Sequence, residues 1–245
     1  MQIKNKYWLL LFLVAALFNL YQTFYTSFWI NVISKPLLTI FLACFFYSNS
    51  RIETKFERLI LMGLLVSCLG DIVMIFQSQS QYFFLLGLAL FLIVHFVYLK
   101  AFLCLTSLNT GYIKNHKWPI YLVLLLFIGS VIFYWTDLPS GMKIPFVCYS
   151  FAISLMLLSS IHVFGDIPKK HWILIFCGAL MLVISDSFTA LTKFKGLDLG
   201  NNSFLIMFTY IISQLLICYG SLKATNYCKF EAKDSLSSSI KNILS

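Results

Sequence analysis

Long runs of apolar residues, each broken by a short polar stretch, recur from one end of the chain to the other. The pattern predicts eight helical segments: Tyr7 to Thr26, Trp29 to Tyr47, Phe56 to Phe76, Tyr82 to Leu105, Trp118 to Trp135, Lys143 to Val163, His171 to Thr192 and Ser203 to Ala224. Each is close to the roughly 20 residues that carry an α-helix across a bilayer core. The first follows Lys4 and Lys6, as a secretory leader would, but it carries Asn19, Tyr21 and Gln22 and lacks a small-residue cleavage site. It is therefore expected to remain as a span. Residues 1–224 form one expected domain. Residues 225–245, with Ser235, Ser237, Ser238 and Ser239 among scattered charges, form an expected polar and mobile tail.

Composition agrees with this pattern. A chain of 245 residues that is 60% hydrophobic and 11% charged, with a mean hydropathy of +0.87, has no polar shell for a soluble domain. The predicted class is an all-α, polytopic membrane helix bundle with eight transmembrane helices. The formal charge of +9 does not mark a nucleic-acid partner, because the cations lie singly or in small groups between apolar runs. Their placement orients the bundle. With the N-terminus cytoplasmic, that side receives Lys4, Lys6, Arg51, Lys55, Arg58, Lys100, Lys114, Lys117, Lys169, Lys170 and the cations from Lys223 onward. Lys35, Lys143, Lys193 and Lys195 remain for the other side, so both termini are expected to be cytoplasmic. A short chain with no sorting signal suits a bacterial cytoplasmic membrane, with the endoplasmic reticulum as the alternative. The seven cysteines show neither CxxC spacing nor clustering, and most read as small hydrophobes within spans.

Two of the nine acidic residues stand apart. Asp71, in Gly70-Asp71, and Asp186, in Ser185-Asp186, fall inside apolar segments, where a carboxylate is costly and persists by facing an interior cavity. Segments three and seven run in the same direction. At about 1.5 Å per residue Asp71 lies about 9 Å from the outer end of its helix and Asp186 about 10 Å from its own. Lys35 and Tyr149, on oppositely directed segments, also come to about 9 Å, while Tyr210, Gln214 and His95 lie progressively deeper. Gly63 and Ser67 share the face of Asp71. Ala179, Ala190 and Lys193 share that of Asp186, and the pairs His95/Tyr98 and Tyr210/Gln214 are each one turn apart.

Taken in order, Lys35-Pro36-Leu37, Gly70-Asp71, His95-Phe96-Val97-Tyr98, Gly178-Ala179 through Ser185-Asp186, and Tyr210 to Gln214 resemble the YhhN-like lysoplasmalogenase family, over segments two to eight. The resemblance implies an integral-membrane hydrolase that cleaves the vinyl ether bond of 1-alkenyl lysophospholipids. The products would be a fatty aldehyde and glycerophosphoethanolamine or glycerophosphocholine. Such cleavage protonates the outer alkene carbon, and water then captures the oxocarbenium ion as a hemiacetal that collapses. An acid and a base are both needed, and two carboxyls in unlike environments fill both roles. Asp71 and Asp186 are the expected catalytic pair, with the two roles unassigned. Lys35, His95, Tyr98, Tyr149, Ser185, Lys193, Tyr210 and Gln214 are the candidate substrate-binding residues. Each also has a structural reading, as an interhelical link or, for Lys35 and Lys193, as a snorkelling cation. Pro36 is expected to shape the start of its helix rather than to contact a ligand.

A zinc hydrolase needs several histidine ligands, and only four histidines occur, of which His116, His162 and His171 lie at other depths than His95. Neither GxSxG nor HExxH is present. No metal and no organic cofactor are expected. The partners implied are the lysophospholipid substrate and membrane lipids. The rival class is a proton-coupled transporter or lipid carrier, since paired intramembrane acids also relay protons. Against it, the two halves show no internal repeat and no matched Gly/Pro-broken helices.

The charge count generates a direct test. After replacement of the native thiols, a cysteine at Ser78 or Ser80 is expected to react with an impermeant probe from the non-cytoplasmic side, and one at Asn115 from the cytoplasmic side. The reverse labelling would invert the orientation.

Overall fold

The computed structural model describes residues 6–25, 28–106 and 111–244, with side chains as far as residue 229. Lys4, Thr26 and the tail side chains of Lys233, Ser235, Ser237, Ser238, Ser239 and Lys241 lie outside the described residues. Within them the apolar pattern resolves into helices α1 (Tyr7–Tyr25), α2 (Phe28–Asn49), α3 (Lys55–Ile75), α4 (Gln81–Leu103), a short α5 (Tyr112–Asn115), α6 (Trp118–Tyr134), α7 (Lys143–His162), α8 (Lys169–Ala190) and α9 (Asn202–Leu244). Among the described residues seven stretches are long and apolar enough to cross a membrane: α1 to α4, Ser140–His162, Lys169–Lys195 and Asn202–Lys229. The fifth expected span corresponds to α6, whose 17 residues fall short of that length. At about 1.5 Å per residue it covers about 25 Å, against a hydrocarbon core of about 30 Å. Helix α9 continues without a break past Ala224 to Leu244.

Local chemistry sets the helix ends. Thr54 caps α3, accepting from the Glu57 backbone N–H, while Glu57 reaches back to the backbone N–H groups of Glu53 and Thr54 at 2.9 and 2.8 Å. Lys229 of α9 then donates to the buried Glu57 at 2.9 Å, fastening the two helices at this end. Ser80 caps α4, and Pro119 sits in the first turn of α6, where its missing N–H costs nothing. Pro36 lies well inside α2. It cannot donate to the carbonyl of Val32, four residues back, and its own carbonyl accepts from Thr39 at 3.2 Å.

Helix α8 runs on into a π-helical turn, Leu191–Lys195, ended by Gly196 in the left-handed region at φ 59°. At the end of that turn, Lys195 pairs with Asp137 at 2.5 Å, clasping the loop after α6 to the end of α8. That hydrogen bond holds the Asp137 carboxyl below its ordinary range.

Neighbours in sequence pack side by side along α1, α2, α3 and α4. Helix α4 then meets α7, α7 meets α8, α8 meets α9, and α9 closes the ring against α1, α2 and α3. Helix α6 is set outside this ring, with α7 and the short α5 as its main partners. Helices α8 and α9 cross at close range. A Cβ added to Gly178 would fall 2.8 Å from the backbone nitrogen of Ile217, and one added to Gly220 would fall 3.0 Å from that of Ile175. Small residues at a crossing let backbones touch where lipid gives no hydrophobic drive for association. Gly178→Leu is therefore expected to force α8 from α9 and to cost about 1–3 kcal/mol. This would be read as a lowered Tm in detergent, and an unchanged Tm would contradict the crossing.

Candidate active site

The chain direction reverses at each crossing helix, so the start of α2, the end of α3, the starts of α4, α7 and α9 and the end of α8 come to one end of the bundle. There a cavity of about 560 Å³ opens among α2, α3, α4, α6, α7, α8 and α9. Its lining includes the polar residues Lys35, Asp71, Tyr149, Ser185, Asp186 and Tyr210. The apolar part of the lining includes Phe84, Phe91, Leu126, Phe133, Phe146 and Phe194, with Phe91 packed beside Tyr210. A volume of this order, largely apolar with a few convergent polar groups, is typical of a small-molecule site.

The two carboxylates are held in matching ways. The Tyr210 hydroxyl donates to Asp71 Oδ2 at 2.8 Å, and the Tyr149 hydroxyl donates to Asp186 Oδ2 at 2.6 Å. His95 Nε2 lies 3.1 Å from that same Asp186 oxygen, and its ring meets the Tyr149 ring edge to face at 4.9 Å. Asp71 is 1% exposed and Asp186 22%. Lys35 Nζ stands 4.0 Å from Asp71 Oδ1, beyond hydrogen-bond reach. Asp71 Oδ1 has no hydrogen-bond partner, and the nearby Thr39 hydroxyl is directed to the Pro36 carbonyl.

The remaining candidates divide by position. His95 is fully buried behind Asp186 and does not reach the cavity wall. Tyr98 and Gln214 are also behind it: the Tyr98 hydroxyl donates to Gln214 Oε1 at 2.9 Å, and Gln214 Nε2 donates to Ser67 Oγ at 3.3 Å. Gly63 leaves room for the Tyr98 ring, since an added Cβ there would sit 2.3 Å from Tyr98 Cε1. Ser185 is on the wall, but its hydroxyl donates to the Ile206 carbonyl at 3.0 Å. Lys193 falls in the π-turn, where it is exposed and is not part of the cavity lining. Its ammonium lies 4.8 Å from the centre of the Phe84 ring. Tyr149 as the partner of Asp186, Tyr210 as the partner of Asp71 and the whole α6 wall are additions the spacing of residues did not supply. No group of His, Cys, Asp and Glu among the described residues is arranged to hold a metal ion.

The family model described as the YhhN family matches residues 30–221 of the chain. No curated protein and no solved structure matches it. The matched stretch runs from α2 to α9 and contains both carboxylates and both tyrosines.

The network behind the cavity can be tested apart from any chemistry. Gln214→Leu leaves the buried Tyr98 hydroxyl without its acceptor and is expected to cost about 1–3 kcal/mol. Adding Tyr98→Phe should recover part of that loss in a double-mutant cycle, because an apolar pair leaves nothing to satisfy. Strict additivity would show that the two side chains do not interact.

Proposed function

The chain belongs to the YhhN family, and on that premise we propose that it is a membrane-embedded lysoplasmalogenase acting on 1-alkenyl lysophospholipids through Asp71 and Asp186. The observation that carries the reading is the pair of carboxylates lining one cavity, each accepting on a single oxygen from a tyrosine. In each residue the tyrosine takes Oδ2, which leaves Oδ1 for a substrate or a water.

The proposed reaction uses both groups. One carboxylic acid gives its proton to the outer carbon of the alkene, and the glycerol oxygen stabilises the cation that forms on the inner carbon. Water adds to that carbon as the other carboxylate removes its proton. The hemiacetal then breaks, the glycerol oxygen leaving with a proton and the carbonyl forming on the tail. One water is consumed, and one aldehyde and one glycerophospho-alcohol result. A low-dielectric wall strengthens every charge interaction in this sequence. The roles of Asp71 and Asp186 are interchangeable in this scheme. Lys35 is suited to the substrate phosphate because its ammonium lines the cavity without a hydrogen bond to Asp71. His95 acts as a positioning residue for Asp186.

The amphipathic cavity favours a one-tailed lipid over an ion, so we place hydrolysis ahead of transport. Purified protein in detergent is expected to release aldehyde from 1-alkenyl lysophosphatidylethanolamine and not from its saturated 1-alkyl analogue. Transport would require a sealed vesicle and hydrolysis does not, so inactivity on the alkenyl lipid in detergent would overturn the reading. Asp71→Asn and Asp186→Asn are each expected to lower turnover at least ~10²-fold while the protein stays folded. A mutant with near-normal turnover would remove that residue from the mechanism. His95→Gln, which keeps a donor, should retain more activity than His95→Leu, and equal activity of the two would end the positioning role.

A further inference from the structure

The polar groups of the cavity come from helices of the ring, whereas α6 supplies an apolar wall. Among its wall residues only Ser130 carries a polar side chain besides the Tyr134 phenol, and the Ser130 hydroxyl donates to the Phe127 carbonyl at 2.8 Å. The wall is uneven. Val123 and Tyr134 are buried, on the side of α6 held by the bundle. At about 100° per residue, Leu125 and Gly129 lie on the far flank of the helix, and both are exposed there. Yet Leu125 and Gly129 also line the cavity. The cavity therefore reaches round α6 to a flank that is not packed against the bundle. At that point the helix carries a glycine, and a Cβ added to Gly129 would meet nothing within 4 Å. The gap has no packing reason of the kind seen at Gly63 or Gly178, where neighbouring atoms occupy the space a side chain would need.

We propose that the notch at Gly129 is the portal through which the hydrocarbon tail of the lysolipid leaves the cavity for the bilayer, and that this position sets the range of chain lengths the site accepts. The proposal rests on the lysolipid reading above. The occupant follows from continuity: Gly129 lines the same cavity as Lys35, Asp71 and Asp186, and a single tail is the apolar portion of such a substrate. With the head at these polar groups, the α6 side of the lining, apolar apart from Ser130 and the Tyr134 phenol, is left for the chain. Short chains end inside the cavity, and long ones must pass the notch.

Gly129→Leu and Gly129→Phe fill the notch without entering an existing contact, and both replace glycine by a better helix former. The full chain is used for two measurements over a series of tail lengths. The first is thermal stabilisation by saturated 1-alkyl lysophosphatidylethanolamines, which needs no vinyl ether chemistry, and the second is aldehyde release from the matching 1-alkenyl lipids. In both variants long-chain binding and turnover are expected to fall about tenfold or more with short-chain values kept, the size of effect that a changed fit in an apolar pocket produces. An equal loss at every length, or no loss at any, would overturn the portal. If the wild type binds the alkyl series without hydrolysing the alkenyl one, and the variants cut off long chains, the catalytic reading fails while the portal stands. Should Gly129→Phe not fold, Gly129→Leu reads the same cutoff.

Discussion

A carboxylate inside an apolar helix bundle must find hydrogen-bond donors, and the arrangement of this molecule follows from how Asp71 and Asp186 find theirs. Removing the partner of a buried polar group costs about 1–3 kcal/mol, and more if the group is charged, against a whole-domain stability of about 5–15 kcal/mol. Neither residue is served by its own helix. Asp71 on α3 is reached by Tyr210 on α9, and Asp186 on α8 by Tyr149 on α7 and His95 on α4. Two of these bonds, α3 to α9 and α4 to α8, tie together helices far apart in sequence, and the cavity is the space left between them. Closure of the ring by α9 and construction of the site are thus one event.

Position along the bundle axis was legible in the residue order, because alternating helix direction and a fixed rise per residue are enough to gather Lys35, Asp71, Tyr149 and Asp186 at one end. Pairing was not. His95 and Tyr98 are one turn apart on the same face of α4, yet they serve different partners, Asp186 on α8 and Gln214 on α9. Periodicity specifies a face, and which helix stands opposite that face is decided by packing around the ring. Lys193 shows a second limit. Counting seven residues from Asp186 assumes an unbroken α-helix, and the chain passes into the π-turn Leu191–Lys195 before Lys193 is reached.

The α6 helix marks a third limit. Its 17 residues, nearly all apolar, read as a span like the others, but it is shorter than the helices of the ring and stands outside that ring on α7. Hydropathy cannot separate a residue facing lipid from one facing an apolar cavity, since both environments select the same side chains. Phe133 and Leu126 therefore carried no signal of their place on the wall. Gly129 did carry one, though a faint one: a glycine in a helix interior costs up to about 1 kcal/mol relative to alanine, and nothing packs against it to explain the loss.

The choice of tyrosine as the anchor has a chemical consequence. A lysine or arginine bonded directly to each carboxylate would bring a second charge into low dielectric and would oppose protonation of its partner. A phenol adds no charge. Tyr210 and Tyr149 can donate to Oδ2 whether or not a proton sits on Oδ1, so the side chain keeps its place as its charge changes. Lys35 fits the same scheme: at 4.0 Å from Asp71 it is close enough to be felt electrostatically and too far to lock the carboxylate in a hydrogen bond. On the proposed mechanism each carboxyl changes protonation state during a turnover. An anchor that holds in both states allows this without moving a helix, and the fixed geometry of the ring then works in favour of the proton transfers.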